Sequence, residues 1–165
     1  MDRCSGILMH ISSLPSPYGI GTLGRAAYDF VDFLRDAGQK YWQLLPLGPT
    51  SYGDSPYQSF STFAGNPYFI DLDLLAADGL LDSAGLEKIN WGTNPRYVDY
   101  GKIYDSRFRV LREAFRSGFD RDRGAVEAFR EKNPWLPNYA LFMAVKKHFG
   151  MKSWLDWPDE EIRLR

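Results

Sequence analysis

Cysteine is almost missing from this sequence of 165 residues: Cys4 stands alone. One thiol cannot close an internal disulfide, and with only two histidines, His10 and His148, a zinc site has few soft ligands to draw on. Net charge is nearly absent as well. The 20 Lys and Arg offset the 21 Asp and Glu to leave −1, which lends no support to a nucleic-acid partner or an anionic membrane surface. No apolar run approaches the roughly 18 residues of a membrane span. The opening Met-Asp-Arg-Cys-Ser-Gly lacks the basic region and apolar stretch of a signal peptide. A soluble, cytoplasmic protein is the expectation, with no internal repeat and no low-complexity tract.

What the sequence does have is aromatic side chains: 16% of residues, with 11 Phe, 10 Tyr and 5 Trp. Such abundance suits a large core. It also suits a sugar-binding cleft, because pyranose rings offer apolar C–H faces to flat side chains. A hydrophobic share of 44% and a charged share of 25% are those of a globular chain, and the length is sufficient for one ordinary domain.

Texture divides the chain. Residues 4–71 are rich in Gly, Pro, Ser and Tyr with short apolar runs, whereas residues 82–165 carry helical patterns and most of the charge. The continuous run at residues 6–11 predicts a short buried strand. Ala27, Phe30, Val31 and Leu34 recur at helical spacing and predict a helix over 25–37, stopped by Gly38. Residues 41–45 predict a second strand, ended by Pro46. A strand, a helix and a strand this closely joined imply parallel pairing through a right-handed crossover. Further on, Asp82 or Ser83 can cap a short helix. Phe108, Leu111 and Phe115 mark a helix over 104–116 ended by Gly118, Val126 and Phe129 mark a shorter one before Pro134, and Leu136, Tyr139, Ala140 and Met143 mark one ending near Gly150. Aromatics at that spacing belong to helix packing. Pro158 to Glu161 open a last helix.

Gly19-Ile20-Gly21-Thr22-Leu23-Gly24 matches the glycine pattern of dinucleotide-binding loops and runs into the first helix. Its context fails. Seven residues with two prolines separate it from the strand, and no carboxylate stands about 20 residues on to hold a ribose. A glycine-rich turn feeding a helix is the reading kept.

The densest constellation follows the second strand, over residues 48–68. It is longer than a connector needs to be. Tyr52, Tyr57, Phe60 and Phe63 offer ring faces, and Asp54, Ser55, Gln58, Ser59 and Asn66 offer hydrogen bonds to hydroxyls. In parallel α/β folds the loop leaving a strand's C-terminal end lies on the ligand face. Residue chemistry alone leaves two readings open: a sugar-binding loop, or a loop whose aromatics tuck into its own base.

Five segments break that tie. Residues 5–16 (SGILMHISSLPS), 18–24 (YGIGTLG), 42–50 (WQLLPLGPT), 52–59 (YGDSPYQS) and 63–67 (FAGNP) occur in this order, and together they resemble the N-terminal part of the 4-α-glucanotransferases, or amylomaltases, of glycoside hydrolase family 77. The resemblance is strong over residues 4–71 and looser through Val98-Asp99-Tyr100 and beyond. It implies an α/β fold: the start of a (β/α)8 barrel over residues 1–81, with a helical subdomain inserted after the second strand over 82–165. It implies transfer of α-1,4-glucan segments between maltooligosaccharides or amylose by a retaining mechanism, with no metal or organic cofactor. By the same resemblance Tyr57 faces the glucose at the cleavage point, Ser55 hydrogen-bonds a neighbouring sugar, and Tyr52 and Tyr100 form the aromatic pair of a secondary glucan groove.

The family's nucleophilic aspartate and acid/base glutamate lie in motifs that this sequence does not contain, so no catalytic residue is assigned. Asp54, Asp71, Asp73 and Asp99 match neither motif, and Asp71 and Asp73 are expected to cap a short helix near Leu74. His10 is expected to be satisfied by a neighbouring backbone group, and His148 to sit at a helix C-terminus or plain surface. A barrel takes about 200 to more than 400 residues, so the expectation is an N-terminal portion, inactive alone. Its unclosed sheet would favour self-association or pairing with the remaining barrel portion. A fragment of an α-amylase-like hydrolase and a non-catalytic glucan-binding module are the alternatives.

Overall fold

The computed structural model describes residues 3–51 and 53–163. Residues 1–120 and 121–165 form two compact units. In the first, β1 (Gly6–Leu8) pairs in parallel with β2 (Tyr41–Gln43), with Ile7 opposite Trp42. Between them runs α1 (Arg25–Asp36). The strand–helix–strand expectation holds, with shorter strands. Gly6 makes the pairing close: a Cβ there would lie 2.5 Å from the Tyr41 carbonyl oxygen. Gly38, at φ 70°, takes the left-handed conformation that ends α1.

The expected burial of the first strand is not found. Leu8 is 56% exposed, because a two-stranded sheet leaves each strand an open edge and α1 covers only part of it. For the same reason Val31, on the predicted inner face of α1, stands half out. Ala27 and Leu34 are buried, and Phe30 meets Trp42 edge-to-face at 4.9 Å. The Trp42 indole donates to the Met9 carbonyl at 2.7 Å, stitching β2 to the end of β1.

After the loop come α2 (Leu72–Ala77), α3 (Ser83–Glu87) and α4 (Tyr100–Lys132). Asp71 caps α2 by accepting from the Leu74 N–H at 2.9 Å, and Asp82 caps α3 through the Ala84 N–H. Two cores lie beneath. One gathers Ile11, Leu14, Ile20, Ala27, Phe69 and Ile103, and the other Tyr18, Leu72, Leu86, Trp91 and Val110.

Helix α4 departs from the sequence reading. Its 33 residues replace the two expected helices. Gly118 does not end it: the residue is buried within the helix, and the stop comes at Asn133, whose side-chain amide donates to the Phe129 carbonyl at 2.7 Å ahead of Pro134. The buried stripe is also displaced. Ile103, Arg107, Val110, Ala114 and Gly118 face inward, while Phe115 is 57% exposed. Phe108 and Leu111 still pack against the two cores at the stripe's margin, partly buried.

In the second unit α5 (Leu136–His148) is followed by a short 3-10 turn, Trp154–Asp156, and α6 (Glu160–Arg163). Phe149 and Phe142 pack on Trp157. His148 occupies the last turn of α5, beside Lys146 and Lys147. Among the described residues, no helix is long and apolar enough to cross a membrane.

Candidate functional site

The long loop leaves β2 and returns to its own root. The Asn66 N–H donates to the Leu47 carbonyl at 2.8 Å, closing residues 48–65 into a loop with a shared base. Buried Asn66 then accepts from the Tyr68 N–H, starting the 3-10 turn Pro67–Phe69. Within the loop, serine hydroxyls do the folding. Ser61 Oγ accepts from the Phe63 and Ala64 N–H groups, Ser59 Oγ donates to the Ser61 carbonyl, and Ser55 Oγ accepts from the Tyr57 N–H. Gly48 permits the crossing, since a Cβ there would lie 2.5 Å from Ser59 Oγ.

This internal bonding turns two rings outward. Tyr57 is 71% exposed and Phe63 69%. They flank a groove of about 540 Å³ whose walls include Pro46, Leu47, Pro56 and Thr62. Apolar rings beside serine hydroxyls and backbone groups are what a sugar requires: a flat face for the C–H surface and donors at its edge. The aromatics at the groove do not tuck into the base.

Ser55, half-buried, lies on the same turn as Tyr57. Tyr100 starts α4 and packs its ring against Tyr68 at 6.0 Å. Burial, and then the Asp54 charge, pushes the Tyr100 hydroxyl above its usual range. Tyr52 lies outside the described residues. The structure therefore brings Ser55 and Tyr57 together and sets Tyr100 within the field of the Asp54 carboxylate. Sequence reasoning missed the Tyr68 ring beneath Tyr100; the Asn66-Pro67 pair that fixes its turn was the available signal.

The other acidic groups are committed elsewhere. Asp99 pairs with Lys102 at 3.1 Å, and bonds from that residue hold its carboxyl below the usual range. Asp73 accepts from the Tyr18 hydroxyl rather than capping α2, and Asp71 accepts from Thr22 Oγ1. Burial pushes the Asp54 carboxyl up. His10 corrects an expectation: its Nδ1 is buried with no hydrogen-bond partner, and its ring meets Phe69 edge-on at 5.2 Å. Packing on an aromatic edge, not a backbone carbonyl, holds that imidazole, and burial lowers its pKa.

The glycine motif also finds its explanation. A Cβ at Gly24, the N-cap of α1, would lie 1.9 Å from Asp71 Oδ2. The chain's own carboxylate packs against the backbone at the start of α1, leaving no room there for a Cβ. Gly21 is needed for approach to the Ile11 carbonyl, 1.9 Å from its would-be Cβ.

Comparison with known proteins decides the family. The family model described as 4-alpha-glucanotransferase, glycoside hydrolase family 77, matches residues 9–165. The chain belongs to the 4-alpha-glucanotransferase family. The 4-alpha-glucanotransferase of Clostridium butyricum is 55% identical over 158 residues, which are 95% of this chain and 32% of that protein. That of Thermus thermophilus is 50% identical over 96% of this chain and 32% of its own length. Among solved structures, the amylomaltase from Streptococcus agalactiae in complex with acarbose superposes with a TM-score of 0.93 at 46% identity, covering 96% of this chain and 32% of that one. The chain thus spans about a third of the length of these 4-alpha-glucanotransferases, with a mixed, mainly helical fold and a small parallel sheet.

Proposed function

We propose that this chain forms one wall of the glucan site of a 4-α-glucanotransferase. The reaction cuts an α-1,4 bond of a maltooligosaccharide or amylose and passes the segment to the 4-hydroxyl of another glucan. The observation that carries this reading is the outward Tyr57 ring beside the groove of about 540 Å³, in a chain of this family. Tyr57 stacks on the glucose at the cleavage point, Ser55 bonds a neighbouring sugar, and Tyr52 with Tyr100 holds a glucan further along. In the retaining mechanism one carboxylate attacks the anomeric carbon while a carboxylic acid protonates the leaving oxygen. The acceptor hydroxyl then releases the covalent intermediate, with the same acid acting as base.

The sequence contains neither motif that bears those two carboxylates. The chain's part is therefore to bind and orient. In this reading β1, α1 and β2 open a (β/α)8 barrel over residues 1–81, and 82–165 are inserted between its second and third strands. The glucan is met in the cytoplasm. Open strand edges lead the chain to self-associate or to pair with the remaining barrel portion, which size-exclusion chromatography reads directly. Two assays test the functional reading. Incubation of this chain with maltotriose should yield neither longer oligosaccharides nor glucose. Calorimetric titration with maltoheptaose should show binding that Tyr57→Ala removes, and equal binding by wild type and Tyr57→Ala refutes the assignment.

A further inference from the structure

The groove beside Tyr57 is also walled by Phe63, an exposed ring with no polar atom of its own. A lone surface phenyl is ordinary, but this one is held in place. Its N–H donates to Ser61 Oγ at 3.2 Å, and the Ala64 N–H donates to the same oxygen at 3.0 Å. Ala64 and Asn66 just beyond it are buried. The backbone is thus tied on both sides of Phe63, and the ring is left out over the groove, without the stabilisation that burial would bring.

The same bonds set what the serines of this wall can still do. A serine hydroxyl has one proton to donate and two lone pairs to accept with. Ser61 Oγ uses both lone pairs on the Phe63 and Ala64 N–H groups, and among the described residues nothing accepts its proton. Ser59 is the complement. Its Oγ donates to the Ser61 carbonyl at 2.8 Å and accepts from the Ser61 N–H at 3.3 Å, which leaves one lone pair and no proton. Both serines line the groove. One hydroxyl can therefore only donate, and its neighbour can only accept. A carboxylate brings no proton to Ser59, and an ammonium brings no acceptor to Ser61. Adjacent sugar hydroxyls supply both.

We propose that Phe63, Ser61 and Ser59 form a second glucosyl subsite in the groove beside Tyr57. The Phe63 ring takes the C–H face of the sugar, Ser61 donates to one of its hydroxyls, and Ser59 accepts from the next. This inference rests on the glucan reading above and deepens it, by adding a second sugar unit to the same groove. The groove's volume of about 540 Å³ lies in the range that holds a drug-sized ligand, about 300–1,000 Å³, and exceeds what one sugar ring needs. Because Ser61 both fixes the ring and supplies the donor, platform and hydrogen bond are in register before any sugar arrives.

The test is calorimetric titration of the 165-residue chain with maltoheptaose, joined to amide NMR of the same samples. In wild type the sugar should move the signals of residues 61–64 as well as those of 55–57. Phe63→Leu stays apolar but loses the flat face. Its thermal midpoint should match wild type, since the ring is exposed, while its affinity should fall about five- to tenfold. Phe63→Tyr keeps the face and should bind several-fold better than Phe63→Leu. Ser61→Ala removes the donor and the acceptor of the turn together, and should lose at least as much affinity as Phe63→Leu. Wild-type affinity in Phe63→Leu or Ser61→Ala overturns the proposal, as does a Phe63→Tyr no better than Phe63→Leu. Binding that moves 55–57 while 61–64 stay still overturns it too, and the Tyr57 assignment survives each of these results. If wild type binds no maltoheptaose, the glucan reading itself fails and the subsite falls with it.

Discussion

Replacing Gly24 with alanine tests the account of the glycine motif. The backbone at this position, φ −110° and ψ −150°, is extended and open to any residue, so strain in the main chain does not enter. The added Cβ would fall 1.9 Å from Asp71 Oδ2 and 2.2 Å from its Cγ, and the carboxylate must leave. Leaving breaks two bonds at once: the acceptance from Thr22 Oγ1 and the cap on the Leu74 N–H. A hydrogen bond to a charged group contributes about 1.5–3 kcal/mol and a helix cap about 1 kcal/mol. The expected loss is therefore about 2.5–4 kcal/mol, or a fall of about 5–15 °C in Tm at this chain length. Urea and thermal unfolding followed by circular dichroism measure it. Asp71→Ala removes the same two bonds, so the double variant Gly24→Ala/Asp71→Ala should be little worse than either single one. A Gly24→Ala protein with wild-type stability, or strict additivity in the double variant, refutes the idea that Asp71 occupies the N-terminus of α1.

Three further outcomes follow from buried or open positions. Arg107 has no exposed surface, donates to the Ile70 carbonyl, and leaves Nε and Nη1 unpartnered; burial, opposed by Asp71, lowers its pKa to about 10. Arg107→Met removes the stranded donors and the bond to the Ile70 carbonyl together, so the unfolding free energy from urea titration should fall by about 1 kcal/mol, whereas Arg107→Ala should cost about 3 kcal/mol. His10 titrates below the ordinary 6.5 because burial favours its neutral form. The unfolded chain takes up the proton first, so stability should fall as pH drops from about 6.5 toward the folded value, a slope that His10→Phe should abolish in a pH series of melts. Gly124 lies inside α4 with nothing within 4 Å of a would-be Cβ. Gly124→Ala should therefore raise stability by about 1 kcal/mol, read from the unfolding of the second unit.

Why some elements were legible in the sequence and others were not has a physical pattern. Helix α1 and the caps at Asp71 and Asp82 depend on residues within a few positions of one another, and their signals are local. Helix α4 shows the opposite. Gly118 and the Phe108–Leu111–Phe115 spacing suggest a short helix with an aromatic inner face, yet the fully buried stripe runs through Arg107 and Gly118, with Phe108 and Leu111 partly buried beside it and Phe115 turned out. What selects it is the Ile70 carbonyl, 37 residues away, which needs a donor and finds Arg107. No periodicity within α4 encodes that demand. The candidate site divides along the same line. Its ring-and-hydroxyl composition is readable over residues 48–68, because serine and asparagine fold the loop through neighbours two or three positions away. The meeting of that loop's foot with Tyr100 is not readable, since it depends on a buried Tyr68 packing its ring on a helix that begins 32 residues later. The glycine motif joins both lessons. Its match to a phosphate loop is local and correct as a pattern, but what packs against the glycine at the start of α1 is the Asp71 carboxylate, 47 residues beyond Gly24. A sequence pattern names the kind of partner a backbone will accept; the fold chooses whether the chain itself supplies it.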